Sequence, residues 1–263
     1  MNATTGLLQD KVVVVSGVGA GLGRSIAVRS ARAGADVVLV ARTEATLDDV
    51  AAEVTALGRR AITVAADITD PDSAAKVVTR AKQTLGRIDT LVNNAFLKPS
   101  MADFAHTDHQ SIRDGIELSV IGALRMSQLC TAELADTGGA IVMVNSMVVR
   151  HSDPIYGSYK VAKSALLAMS QSLSSELGPQ GIRVNTVAPG YIWAESLEGY
   201  FQTLAEETGS SVDDIYRATA ANTDLRRLPE PDQIADAIVF LASDMAAAIA
   251  GQCLDINCGE YHH

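Results

Sequence analysis

The sequence predicts a single α/β domain over residues 1–263, built on a doubly wound parallel sheet of about seven strands with helices on both faces. Three observations predict it. Short apolar, β-branched runs alternate with stretches of helical periodicity, the connections between them are a few residues long, and a glycine-rich turn closes the first strand. A chain of 263 residues suits one α/β unit and buries most of its unfolded surface without disulfide staples.

The elements follow in order. "KVVVVSG" (11–17) reads as a strand buried on both faces, and "LGRSIAVRSARAGA" (22–35) as a helix stopped at Gly34. "DVVLVAR" (36–42) is a second strand, "EATLDDVAAEVTALG" (44–58) a helix, and "AITVAAD" (61–67) a third strand. Asp70 and Pro71 start a helix that runs to Gly86. "IDTLVNNA" (88–95) is the fourth strand, and a long helical stretch covers roughly 108–135. "GAIVMVNS" (139–146) is the fifth strand and residues 157–178 a helix. "IRVNTVAPG" (182–190) is the sixth strand. A looser region, 191–228, precedes a capped helix from Pro231 and a short last strand within 251–259. In such a fold ligands bind at the carboxyl ends of the strands, so the chemistry belongs just after strands.

Bulk properties narrow the partners. A net charge of −10 repels nucleic acid and anionic membranes, and neither is expected as a partner. Three cysteines without a metal-type spacing suggest reduced thiols and a cytoplasmic location. The five histidines are scattered, and no metal site is expected. The N-terminus carries no signal-peptide pattern, and no apolar run approaches the ~18 residues that span a bilayer.

"SGVGAGLGR" (16–24) joins the first strand to the first helix, with Gly17, Gly21 and Gly23 spaced to bring backbone amides against a pyrophosphate at a helix N-terminus. At the end of the second strand an acid would mark NAD; the chain has Arg42, which pairs with a 2′-phosphate, so NADP is favoured over NAD. A plain surface arginine is the alternative. Asp67 after the third strand can accept from the adenine amino group, or equally serve a turn.

Gly17-x-x-x-Gly21-x-Gly23, Asp67, "NNA" at 93–95, Ser146, Tyr159-x-x-x-Lys163 and "PG" at 189–190 together resemble the short-chain dehydrogenases/reductases, in order and spacing, from about residue 10 to residue 260. The resemblance implies a Rossmann-type fold and an oxidoreductase acting on a hydroxyl or ketone. Ser146, Tyr159 and Lys163 match the family's serine, its general acid/base and its lysine. Leu22, Ile68, Asn94, Ala95, Pro189, Gly190 and Ile192, with Tyr159 and Lys163, match positions around the cofactor. A free phenol titrates near pH 10, and a nearby ammonium is expected to lower it.

Three positions depart from the family pattern. Ser119 stands where the family carries a catalytic Asn that stabilises a helix distortion, which puts the proton relay in doubt. Phe96 replaces a glycine, either lining the pocket or packing into its loop. Ala194 stands where Thr often touches the carboxamide.

Aromatics concentrate between Tyr156 and Phe201, and the segment 191–228 reads as a lid over an apolar pocket. Phe96, Ser146, Met147, Tyr156, Tyr191 and Trp193 are the candidate substrate contacts, and the expected substrate is a hydrophobic ketone or secondary alcohol. His151 reads as an exposed loop histidine. The alternatives are a catalytically impaired nucleotide-binding regulator and an isomerase that retains its cofactor. The resemblance also suggests a homotetramer or homodimer, built through the two long helices and the last strand.

"IYGSYKVAK" (155–163) holds two Tyr-x-x-x-Lys pairs. From Tyr159 the helical stripe runs through Ala162, Lys163, Leu166, Ser170 and Leu173 and is mostly apolar; from Lys160 it is mostly polar. Tyr159 and Lys163 are therefore the inward pair, and Lys160 reads as a solvated lysine.

Overall fold

Seven strands hydrogen-bond in the order β3-β2-β1-β4-β5-β6-β7, every neighbouring pair parallel. The structure is a computed structural model that describes residues 6–97, 100–103 and 105–262. The strands are β1 (Val12–Ser16), β2 (Asp36–Ala41), β3 (Ala61–Ala65), β4 (Thr90–Asn93), β5 (Ala140–Val144), β6 (Arg183–Pro189) and β7 (Cys253–Ile256). After β3 the chain returns to place β4 beside β1, and this reversal opens the crevice in which a doubly wound sheet binds ligands.

Between the strands run α1 (Leu22–Arg32), α2 (Glu44–Ala56), α3 (Pro71–Leu85), α4 (His109–Ile116), α5 (Ala123–Thr137) and α6 (Gly157–Leu177). After β6 come α7 (Glu195–Thr208), α8 (Val212–Ala220) and α9 (Pro231–Ala242).

Strand period divides the core in two. Val13 and Val15 of β1 face one layer, where Ile26 of α1, Leu47 and Val50 of α2, and Ile234 and Ile238 of α9 pack. Val12 and Val14 face the other, with Val77 of α3, Met126 and Leu134 of α5, and Leu166 and Leu173 of α6. Both faces are covered, which is why these strands are near-continuous apolar runs. As predicted, α3 starts at Asp70, whose carboxylate accepts from Ser73 N at 2.7 Å, and stops at Gly86 in the left-handed region (φ +82°).

Two expectations change. The stretch read as one helix over 108–135 is interrupted by a π-helical turn at Glu117–Gly122, centred on Ser119 and packed against α6. The region read as loose over 191–228 holds α7 and α8. Phe201 and Ala205 bury the inner side of α7, and Ser211 caps α8 by accepting from Asp214 N. Among the described residues, no helix is long and apolar enough to cross a membrane.

Asp89 ties the sheet together at its amino end. Its carboxylate is 5% exposed, accepts from Val12 N at 2.9 Å and pairs with Arg87. Asp89→Ala strands the Val12 N–H at the start of the central strand and is expected to cost about 1–3 kcal/mol. Urea unfolding checks it: the midpoint falls with an unchanged slope.

Candidate active site

A cleft of about 540 Å³ runs across the carboxyl ends of β1 to β6. At its first end lies the glycine loop. Gly17 takes φ +94°, and a Cβ there would stand 2.5 Å from the Ala95 backbone. A Cβ on Gly23 would stand 2.4 Å from the Gly17 carbonyl oxygen, to which Asn94 Nδ2 donates at 2.7 Å. These two glycines are required by packing. Gly19 and Gly21 face open space, with nothing within 4 Å of where a Cβ would be. That opening at the N-terminus of α1 fits a pyrophosphate. Leu22 lines the same end.

The next stretch of wall is Arg42, Thr43 and Thr46 from the β2–α2 connection, with Asp67 and Ile68 after β3. Asp67 accepts from Thr69 N at 2.9 Å and Thr69 Oγ1 at 2.7 Å. Those bonds, with the charges of Arg42 and Arg125, hold its carboxyl below the usual range against the opposing effect of burial.

At the far end stand Asn94, Ala95, Phe96, Ser146, Tyr159, Lys163, Pro189, Gly190 and Ile192. Ser146 caps a single 3₁₀ turn, its Oγ accepting from Val148 N at 3.2 Å, and it hydrogen-bonds Tyr159. Lys163 is buried; its Nζ donates to Val144 O at 2.9 Å and lies 5.8 Å from the Tyr159 ring centroid. Burial lowers the Lys163 amine to about 8. Burial also pushes the Tyr159 phenol up to about 12, against the Ser146 hydrogen bond. The expected depression of the phenol is thus not produced by the protein's own groups, because desolvation outweighs them.

The Phe96 ring meets Tyr159 edge-on at 6.0 Å and is 57% exposed, so it stands in the cleft instead of packing into its loop. Ser119 is buried in the π turn and is not part of the cleft wall; its neighbour Leu118 is.

Four candidate contacts stand outside that wall. Met147 is buried in the 3₁₀ turn. Trp193 packs on Phe201 of α7 and Tyr216 of α8, its backbone N–H donating to Pro229 O. Tyr156 and Tyr191 share a hydrogen bond at 2.7 Å beside the cleft. His151 is not an exposed histidine: its side chain is 10% exposed and stacked on Tyr261 at 4.8 Å. Lys160 is not simply solvated either, since its ammonium donates to His151 O and Ser152 Oγ and clamps that loop.

Sequence reasoning missed Asn145, Thr43, Thr46 and Ser196, all on the wall. Asn145 Oδ1 accepts from Ser146 N at 2.8 Å while its Nδ2 donates to Lys163 O at 3.0 Å, tying β5 to α6. Nothing in the sequence pattern marks Asn145, because both partners of its side chain are backbone atoms. Thr46 lies in the first turn of α2, whose N-terminus borders the cleft beside Arg42.

A family model described as enoyl-(acyl carrier protein) reductase matches residues 17–261. The L-rhamnose 1-dehydrogenase (NAD(P)(+)) of Sphingomonas sp. (strain SKA58) is 34% identical over 97% of this chain and 98% of that protein. A 7α-hydroxysteroid dehydrogenase solved with NADH and 7-oxo glycochenodeoxycholic acid superposes with a TM-score of 0.88 at 30% identity, covering 98% of this chain and 97% of that one. The L-sorbose reductase of Gluconobacter frateurii, solved with NADPH and L-sorbose, gives 0.89 at 29% identity, covering 96% and 97%. With likeness running the length of the chain, and with the spacing of its glycines and of Tyr159 and Lys163 realised around one cleft, the protein belongs to the short-chain dehydrogenase/reductase family.

Proposed function

We propose that the protein is an NADP(H)-dependent oxidoreductase that interconverts a hydrophobic secondary alcohol and its ketone, with Tyr159 as general acid/base. One observation carries the reading. Tyr159, hydrogen-bonded to Ser146 and close to the Lys163 amine, stands on the wall of the same cleft whose other end is the glycine loop.

The residues divide the cofactor between them. Gly17, Gly21 and Gly23 would hold the pyrophosphate, Arg42 with Thr43 and Thr46 a 2′-phosphate, and Asp67 and Ile68 the adenine. Asn94, Ala95 and Lys163 would hold the nicotinamide ribose, and Pro189, Gly190 and Ile192 would back the ring. The nicotinamide supplies or receives the hydride. Ser146 Oγ accepts from Val148 N–H, and its own O–H, which hydrogen-bonds Tyr159, would be shared with the substrate oxygen, where charge develops. Tyr159 gives or takes the proton at that oxygen. Lys163 places its amine 5.8 Å from the phenol ring, where its protonated form would act against the desolvation that raises the phenol.

NADP is preferred over NAD because the β2 end offers a guanidinium and two hydroxyls and no acid before Glu44. The relatives themselves span NADH, NADPH and both. The Phe96 ring in the cleft and the lid cluster of Trp193, Phe201 and Tyr216 support an apolar substrate body. Exposed Ile121, Val161 and Leu254 lie on the π turn, α6 and β7, which supports assembly of two or four copies through those elements. The free thiols of Cys130, Cys253 and Cys258 support a cytoplasmic setting. The regulator alternative rested on Ser119, and the π turn forms around Ser119.

Three measurements test this reading. Tyr159→Phe is expected to lower kcat by about 10²- to 10⁴-fold while NADPH binding, followed by cofactor fluorescence, persists. In the same assay Lys160→Met, at the other lysine of the overlapping pattern, keeps turnover. Arg42→Asp is expected to shift the ratio of kcat/KM for NADP over NAD by about 10- to 100-fold towards NAD; an unchanged ratio removes Arg42 from the 2′-phosphate. Lys163→Met is expected to abolish turnover yet stabilise the fold. The amine titrates at about 8 when folded, against 10.5 as its ordinary value, so near neutral pH the buried ammonium costs about 3 kcal/mol. The cost fades as pH rises from 8 towards 10.5, and thermal melts of both proteins across that range check the sign.

A further inference from the structure

A second group of polar side chains borders the cleft on the β6–β7 side. Tyr191 follows Gly190 at the end of β6, Tyr156 precedes α6, and Glu260 follows β7. The two phenols share their 2.7 Å hydrogen bond. Glu260 Oε2 lies 3.3 Å from where a Cβ on Gly190 would stand, and Gly190 is cleft wall.

The position of Glu260 is built. Its N–H donates to Asn257 O at 3.2 Å, and Asn257 Nδ2 donates to Tyr261 O at 3.1 Å. The Tyr261 ring is stacked on His151, which meets Tyr156 edge-on at 6.3 Å. The tail is thereby locked against the 151–156 loop.

Yet the Glu260 carboxyl has no hydrogen bond or ion pair among the described residues, although it is only partly exposed. Burial, with the charge of Asp153, pushes it up to about 7. Burial raises both phenols as well, so neither ionises near neutral pH. In the tyrosine pair one O–H is spent on the other ring's oxygen. One phenolic donor, unused phenolic lone pairs and a carboxyl are left over. An apolar substrate end would strand all of them, and a carboxylate would meet Asp153 and Glu260. A hydroxyl both donates and accepts.

We propose that Tyr156, Tyr191 and Glu260 form a subsite for a second, uncharged hydroxyl of the substrate, remote from the one that reacts. The inference rests on the alcohol/ketone reading and refines its substrate class. The sheet order sets the directions: Ser146 follows β5, Phe96 follows β4 on one side, and Tyr191 and Glu260 follow β6 and β7 on the other. The substrate is then a diol or hydroxyketone, apolar towards Phe96 and hydroxylated towards Glu260.

Calorimetric titration into the full chain saturated with NADPH tests it, with cyclohexanol, trans-cyclohexane-1,4-diol and trans-4-aminocyclohexanol as probes. The diol is expected to bind about tenfold tighter than cyclohexanol. Glu260→Ala should bring that ratio close to one, and Glu260→Gln, which keeps hydrogen-bonding groups, should retain most of it. Equal affinity for diol and cyclohexanol, or a ratio unchanged in Glu260→Ala, overturns the subsite. Tighter binding of the amine than of the diol overturns its assignment to a neutral hydroxyl. NADPH formation from NADP is followed separately: discrimination in binding without any hydride transfer to NADP would refute the oxidoreductase reading and leave the subsite standing.

Discussion

The amine of Lys163 is the constraint around which the catalytic end is arranged. An ammonium enclosed by protein is costly, and its desolvation is offset only in part by one hydrogen bond to the Val144 carbonyl. That bond fixes where β5 must end and where α6 must cross it. Asn145 adds a second tie between the same two elements, through Lys163 O and Ser146 N. Ser146, Tyr159 and Lys163 thus share one rigid corner instead of relying on three independent loops. A corner that keeps an unfavourable charge in place at the expense of stability is the pattern expected of a site selected for chemistry.

The opposite end of the cleft is governed by contact distance. Gly17 is pressed on Ala95 and Gly23 on the Gly17 carbonyl, so the β1–α1 turn and the loop after β4 are one packed unit. Asn94 bolts them with its bond to Gly17 O. Because β4 sits beside β1 only through the reversal of strand order, topology and glycine packing make the same demand on the chain. The residues at the two ends of the cleft meet through Ala95 and Phe96, which follow directly from that loop.

Most of this was legible in the sequence, and the parts that were not share a physical character. Buried strands and the glycine turn announce themselves because two-sided burial and backbone crowding restrict residue type at each position. Ser146, Tyr159 and Lys163 were legible through the family resemblance, and the apolar stripe of α6 chose between two tyrosines. The π turn at Ser119 was not, since a single widened turn inside a long helical stretch carries no residue signature of its own. α7 has Ala194 at its N-cap position and no side-chain cap, which hid it, whereas α8 carries a Ser211 to Asp214 cap visible in the sequence. Lys160 and His151 were misjudged for one reason: their partners, a backbone carbonyl and a tail residue, Tyr261, far along the chain, leave no mark on local pattern.

The tail raises a point about where specificity resides. The residues proposed to hold cofactor and proton come from the ends of β1 to β6, which the sheet fixes rigidly. The groups proposed for the substrate side come from Phe96 after β4, from the segment after β6, and from the turn after β7. These segments lie outside the sheet's hydrogen-bond ladder, so their side chains can change without disturbing the corner built on Lys163. Such a division accounts for relatives of near-equal likeness to this chain that bear the names of a sugar dehydrogenase and a steroid dehydrogenase. In this chain the two sides differ in kind. The ring of Phe96 offers a hydrogen-bonding substrate nothing, and the carboxyl of Glu260 offers an alkyl chain nothing. A ligand that satisfies both must present an apolar face and a polar end, held apart by the width of the β5 strand end between them.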